Sequence, residues 1–175
     1  VSGDYFLSQQ AVQQMVGVLL VSVLLLFFIL AAQFESLVQP FIILSEIVLD
    51  IFVVLVILYL LRLAIDLMSM TGLIVMAGIV INDSILKVDT INRHRKSGMP
   101  LFESIVKAGR ERLLPILMTS LTTIFSLVPF LSGGSIGADL QFPLSLTILV
   151  GMVVGTGVSI FFVPILYYVI YRKRK

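Results

Sequence analysis

Cysteine and tryptophan are absent from the 175 residues, histidine occurs once, and charged residues make up only 13%. The missing cysteine excludes a disulfide framework and a thiolate metal site such as a zinc finger. Soluble domains carry about 25% charged and about 45–50% apolar residues, so the scarcity of charge also excludes a disordered tail and a soluble enzyme. What fills the chain is apolar: 59% belongs to the hydrophobic set, and the mean hydropathy is +1.13. The expected class is an all-α polytopic membrane bundle in contact with lipid, with no nucleic-acid partner. The chain opens at Val1 without an initiator methionine, a basic n-region or a cleavage motif, and is expected to be a fragment.

A helix crossing a ~30 Å hydrocarbon core needs about 20 mostly apolar residues. Polar residues divide the chain into five such stretches, at about 15–32, 40–61, 67–92, 113–131 and 144–171. Residues 1–14 precede the first as the periplasmic end of an earlier segment, and 172–175 form a basic tail. Between the third and fourth spans, Pro100 can open a helix after Ser97-Gly98, and Leu101, Ile105 and Ala108 recur at helical spacing beside Glu103, Lys107, Arg110 and Glu111. That pattern predicts an interfacial amphipathic helix over 99–112, a sixth element beside the five spans.

Ten of the twelve basic residues fall on one side, in the 93–112 connection and in Arg172-Lys173-Arg174-Lys175. Cytoplasmic loops retain such an excess, which places the C-terminus inside and, with five spans, the N-terminus outside. Tyr167, Tyr168 and Tyr171 then fall at the inner interface and Tyr59 near the outer one. His94, among Arg93, Arg95 and Lys96, reads as a solvated rim residue.

Two stripes concern packing. Thr147, Gly151, Gly155 and Ser159 recur every four residues, a small-residue face that lets a neighbouring helix approach, and Pro164 is expected to kink the same span. Thr119, Thr122, Thr123 and Ser126 make a hydroxyl stripe on the fourth span. Such hydroxyls can bond their own i−4 carbonyls, and a stripe of this kind is more often structural than functional.

The intramembrane charges weigh more. Each charged side chain in a span costs about 2.5–3.5 kcal/mol on insertion scales, which makes it a functional hypothesis by default. Glu46 and Asp50 share one face of the second span at i, i+4, and Asp83 and Lys87 have the same spacing on the third. At 1.5 Å per residue, Asp50 and Asp83 each lie about 15 Å from the inner rim. Asp83 and Lys87 can neutralise each other. Glu46 and Asp50 cannot, so either one carboxyl holds a proton or a cation arrives from another helix. A carboxyl that gains and loses a proton suits a proton-coupled transporter; a structural Asp83–Lys87 pair, with Glu46 and Asp50 facing a wet cavity, explains the same residues.

The runs Ala31-Ala32-Gln33-Phe34-Glu35-Ser36-Leu37, Gly78-Ile79-Val80-Ile81-Asn82-Asp83-Ser84-Ile85-Leu86 and Arg112-Leu113-Leu114-Pro115-Ile116-Leu117-Met118-Thr119-Ser120-Leu121 carry a resemblance, as does the closing Phe161-Phe162-Val163-Pro164-Ile165-Leu166-Tyr167. Together they resemble the C-terminal membrane half of the resistance-nodulation-division (RND) efflux pumps, hydrophobe/amphiphile branch. The resemblance implies spans eight to twelve of a twelve-span inner-membrane drug/proton antiporter, a transporter rather than an enzyme. It implies a homotrimer, joined by the missing N-terminal part, a periplasmic adaptor and an outer-membrane channel. The proton-motive force drives such a pump, with no cofactor and no metal site. The family's periplasmic domains and its fourth-span Asp pair are missing here, so the fragment would not pump alone.

By position, Arg112 and Thr119 match the family's eleventh-span relay Arg and Thr. The tenth-span relay Lys falls at Asn82, where this chain departs; Asn cannot titrate, so either Asp83 and Lys87 take over or the relay rests on the missing fourth span. Glu46 and Asp50 have no family role in the resemblance. Two readings remain open: the transmembrane core of a proton-driven efflux pump, or a structural membrane module. A related RND-superfamily member exporting metal ions, lipid or protein is a more distant third.

Overall fold

The computed structural model describes residues 2–134 and 137–174, and the Ser135-Ile136 part of the glycine-rich loop and Lys175 of the basic tail lie outside the described residues. Five helices follow one another: α1 (Ser2–Phe34), α2 (Val38–Leu60), α3 (Leu67–Lys96), α4 (Leu101–Leu131) and α5 (Ala138–Arg172). All five are long and apolar enough to cross a membrane. Even the shortest, α2 with 23 residues, spans about 34 Å at 1.5 Å per residue.

Local chemistry sets where the helices start and stop. Asp66 caps α3 by accepting a 2.8 Å hydrogen bond from the Ser69 amide. Arg93, His94, Arg95 and Lys96 fill the last turn of α3, where cations suit the negative end of the helix dipole. The chain then turns through Gly98 at φ 93°, a conformation that a side chain disfavours. Between α1 and α2 the reversal takes only three residues and puts Glu35 in the left-handed region at φ 49°.

Two expected boundaries differ from the sequence reading. Residues 2–14 are the first turns of α1 rather than a separate segment, because α1 is continuous from Ser2. The interfacial helix expected over 99–112 and the span expected over 113–131 are one 31-residue helix with Pro115 inside it. Pro115, its 15th residue, removes one amide bond and crowds the Glu111 carbonyl, yet the helix continues through it into the apolar run that follows.

The centre of the bundle is α5, which packs against α2, α3 and α4, while α1 touches only α2 and α3. Half of the apolar window of α3 is buried, against 6% for α1 and 11% for α4, so those two present most of their surface outward. Because lipid is as apolar as leucine, close packing rather than water exclusion must hold α3 to α5. These helices run parallel with a constant offset of 75 residues: Gly72 meets Thr147, Met76 meets Gly151, Val80 meets Gly155 and Ser84 meets Ser159. A Cβ on Gly151 would collide with the Met76 side chain, and one on Gly155 would come within 2.6 Å of Val80 Cγ2. Small residues on α5 thus receive the large ones of α3, and on Gly72 the relation is inverted.

Candidate functional site: a polar layer inside the bundle

Two apolar clusters fill the interior. One, toward the end rich in basic residues, contains Ile42, Ile43, Val88, Ile91 and Val163. The other contains Val54, Leu58, Leu73 and Met76. Between them lie Glu46 and Asp50 of α2, Asp83, Ser84 and Lys87 of α3, and Ser159 of α5, each less than a tenth exposed.

Helical periodicity brings them together. Glu46 and Asp50 sit one turn apart on the face of α2 that meets α3 and α5, and Ser84 and Lys87 are three apart on the facing side of α3. The Ser84 hydroxyl donates to Glu46 Oε2 and lies 3.3 Å from Ser159 Oγ. The Lys87 ammonium donates to the Ser159 backbone carbonyl and, at 2.9 Å, to Ser159 Oγ. Asp50 lies beside the α5 backbone, with Oδ2 3.3 Å from where a Cβ on Gly155 would stand. Three oxygens in this layer have no hydrogen-bond partner: Glu46 Oε1, Asp50 Oδ1 and Asp50 Oδ2.

This arrangement corrects the expected Asp83–Lys87 pair. Among the described residues Arg93–Asp89 is an ion pair and His94 contacts Glu111, both at 3.0 Å; the Lys87 hydrogen bonds go to Ser159 instead. The physical reason is reach: a lysine can extend from α3 to a backbone carbonyl on a parallel neighbour held close by Gly155 and Ser159. Glu46 and Asp50 do not face a wet cavity; they are fully enclosed. Asn82, one residue before Asp83, points the other way and is exposed, as the ~100° step between helical neighbours requires.

On α4 the expected relay residues part company. Arg112 Nε donates at 2.8 Å to Thr90 Oγ1 on α3, and Thr90 lies on the same stripe of that helix as Asp83 and Lys87. Thr119 is exposed and bonds its own Pro115 carbonyl at 3.0 Å; Thr123 and Ser126 likewise bond the carbonyls four residues back. The face that α4 turns to α5 carries Ile116 and Ser120, and Ser120 hydrogen-bonds Thr156.

A second polar cluster, at the basic end, had no counterpart in the sequence reading. Gln39 of α2 and Asn92 of α3 exchange amide hydrogen bonds of 2.9 and 2.6 Å. Tyr167 donates to Asn92 Oδ1 at 2.7 Å, and Gln39 also donates to Tyr171 at 2.9 Å. The Arg95 guanidinium lies 4.9 Å from the Tyr171 ring centroid. Tyr167 is wholly buried in this cluster. His94 is likewise not a free rim residue, since its Nε2 is 3.0 Å from Glu111 Oε2 on α4. The hint in the sequence was the pair of amides just inside two apolar runs, but 53 residues separate them and no local spacing links them.

A multi-pass helical bundle with ionisable side chains buried between its spans is a membrane protein whose interior polar layer is a candidate functional site. The comparisons with known proteins agree. Residues 2–171 match the AcrB/AcrD/AcrF family, and the chain belongs to that family of RND transporters. It is 29% identical over 175 residues to multidrug resistance protein MdtC of Erwinia amylovora, covering 99% of this chain and 17% of that protein. It is 30% identical over 158 residues to swarming motility protein SwrC of Bacillus subtilis, covering 90% and 15%. Toluene efflux pump membrane transporter TtgE of Pseudomonas putida is 31% identical over 152 residues, covering 86% and 14%. Among solved structures, a heavy metal efflux pump superposes with a TM-score of 0.79 at 29% identity over 90% of this chain and 16% of that one. The chain thus spans about a sixth of the length of these relatives.

Proposed function

We propose that this chain is the C-terminal membrane half of a proton-driven RND multidrug efflux pump. It sits in the bacterial inner membrane with its N-terminus periplasmic and its C-terminus cytoplasmic. The orientation rests on the basic residues gathered at the α3–α4 turn and after α5. The observation that carries the transport reading is the reach of Arg112 from α4 to Thr90, on the stripe of α3 that holds Asp83 and Lys87. A proton relay needs a buried carboxyl and a cation along one line of side chains, and Asp83 and Arg112 are its members in this half, with Thr90, which Arg112 bonds, about 10.5 Å along α3 from Asp83. Thr119 and Asn82 face outward, where the N-terminal half of the same pump would lie against them. A homotrimer with a periplasmic adaptor and an outer-membrane channel completes the pump.

The reading is tested in the complete protein by drug efflux from cells carrying Asp83→Asn. Loss of efflux at an unchanged membrane level supports the relay, and wild-type efflux refutes it. Export of metal ions is the second reading, favoured by the structural similarity to a heavy metal efflux pump. Parallel resistance profiles against organic drugs and metal salts separate the two.

A further inference from the structure

The relay stripe of α3 does not account for Glu46 and Asp50. Both are on α2, which makes no contact with α4 among the described residues, and both are enclosed, at 0% and 1% exposed. Their three unpartnered oxygens, Glu46 Oε1 and both oxygens of Asp50, are buried acceptors without a hydrogen bond. The groups around them are few. From α2 itself come only each other; from α3 come Ser84, whose proton is given to Glu46, and Lys87 and Asp83; from α5 come Gly155 and Ser159. No ionisable residue of α1 lies between Tyr5 and Glu35, and none of α5 lies between Asp139 and Tyr167. Three carboxyls therefore share a layer with one ammonium, whose hydrogen bonds go to Ser159 and whose single charge can balance only one of them.

We propose that the Glu46–Asp50 pair is a proton-exchange site of its own, separate from the relay on α3 and α4. A hydronium ion gives one proton to a carboxylate oxygen of the pair, forming an O–H bond and leaving water; release reverses the step. The bound proton turns one of the three oxygens into a donor and removes one negative charge from the layer. A proton suits the site better than a metal cation. Hard cations such as calcium collect about six to eight oxygens, whereas only three are free here and the Lys87 ammonium stands in the same layer.

The open groove nearest to the pair is at the basic end, about 530 Å³ and lined by Gln33, Glu35, Gln39, Asp89, Asn92 and Arg93 among others. Between Asn92 and Lys87, about 7.5 Å apart along α3 at 1.5 Å per residue, the buried apolar Val88 and Ile91 close the way, so a proton enters only when the packing there loosens. From Lys87 a hydrogen-bonded line runs to Ser159, Ser84 and Glu46.

The full-length transporter, reconstituted in liposomes, tests this by infrared difference spectroscopy between neutral and acidic buffer. The expected result is a carboxylic-acid carbonyl band that appears on acidification, shifts in deuterium oxide, and disappears in Asp50→Asn or Glu46→Gln. Asp83→Asn should keep that band, which separates this site from the relay. Ser84→Ala retains both carboxyls and should shift the band without removing it, so the wild type and this variant decide even where Asp50→Asn does not accumulate. A spectrum in which no exchanging carboxylic band belongs to Glu46 or Asp50 overturns the proposal. So does a band abolished by sodium at constant pH, which would make the site a sodium site.

Discussion

Lys87 reaches from α3 to the backbone carbonyl of Ser159 on α5, passing over the Asp83 one turn before it on its own helix. The bond ties a charge to a helix backbone just before the turn that Pro164 interrupts, where the missing proline amide leaves the Ile160 carbonyl without its usual partner. Replacing Lys87 by Met keeps the length of the side chain but removes a charge-assisted bond, and the expected loss is about 1.5–3 kcal/mol. Ser159→Ala keeps the carbonyl and should cost less, near the ~0.6 kcal/mol average for side-chain hydrogen bonds within membranes. Thermal unfolding of the full-length protein in detergent checks the order; equal losses would show that the carbonyl contact contributes nothing.

Asp83 is buried on the stripe that leads to Thr90 and Arg112. Asp83→Asn preserves shape and removes the titratable group, so drug resistance in cells should fall while the membrane level stays the same. Resistance equal to wild type would sink the relay role of this residue.

Arg112 and Arg110 are two residues apart, yet only Arg112 bonds α3, while Arg110 is exposed. Transport should therefore suffer more from Arg112→Ala than from Arg110→Ala, and Thr90→Val should reproduce part of the Arg112 defect. Initial efflux rates of a fluorescent substrate compare the three, and identical rates for the two arginine variants contradict the assignment.

The α3–α5 seam makes a packing prediction. A Cβ at position 72 would come within 2.9 Å of both the Leu144 carbonyl and Thr147 Cβ, neither of which can move cheaply, whereas Gly157 has nothing within 4 Å. Gly72→Ala should cost about 1–3 kcal/mol by overpacking. Gly157→Ala should be neutral or stabilising by up to about 1 kcal/mol, because alanine is the better helix former. The melting temperatures of the two variants, measured side by side, test the seam.

The basic-end cluster allows a smaller test. Tyr167→Phe keeps the ring stacked on Tyr171 and deletes the hydroxyl that bonds Asn92. The expected cost is about 0.6 kcal/mol, with about 1.7 as the upper end of measured cases. A Tyr167→Phe protein as stable as wild type would show the amide pair to be self-sufficient.

The set of spans and the inventory of intramembrane charges are legible in the sequence. Length and apolarity are local properties, and a ~30 Å barrier imposes them on each stretch independently. The four-residue recurrence of Thr147, Gly151, Gly155 and Ser159 was visible for the same reason, since one helix is enough to define a face. Family membership was legible too, because it rests on short runs read in order.

The tertiary structure alone decided which charges meet. Intrahelical spacing allows Lys87 to pair with Asp83, but a carbonyl 72 residues away on a parallel helix won, because small residues on α5 brought that backbone within reach. The same holds for the hydroxyls of α4: spacing groups Thr119 with Thr123, yet the face packed on α5 is the one that carries Ser120. Periodicity tells which residues share a face. Which face is turned inward depends on the neighbouring helices, and with it whether Glu46 and Asp50 are wet or sealed away from water.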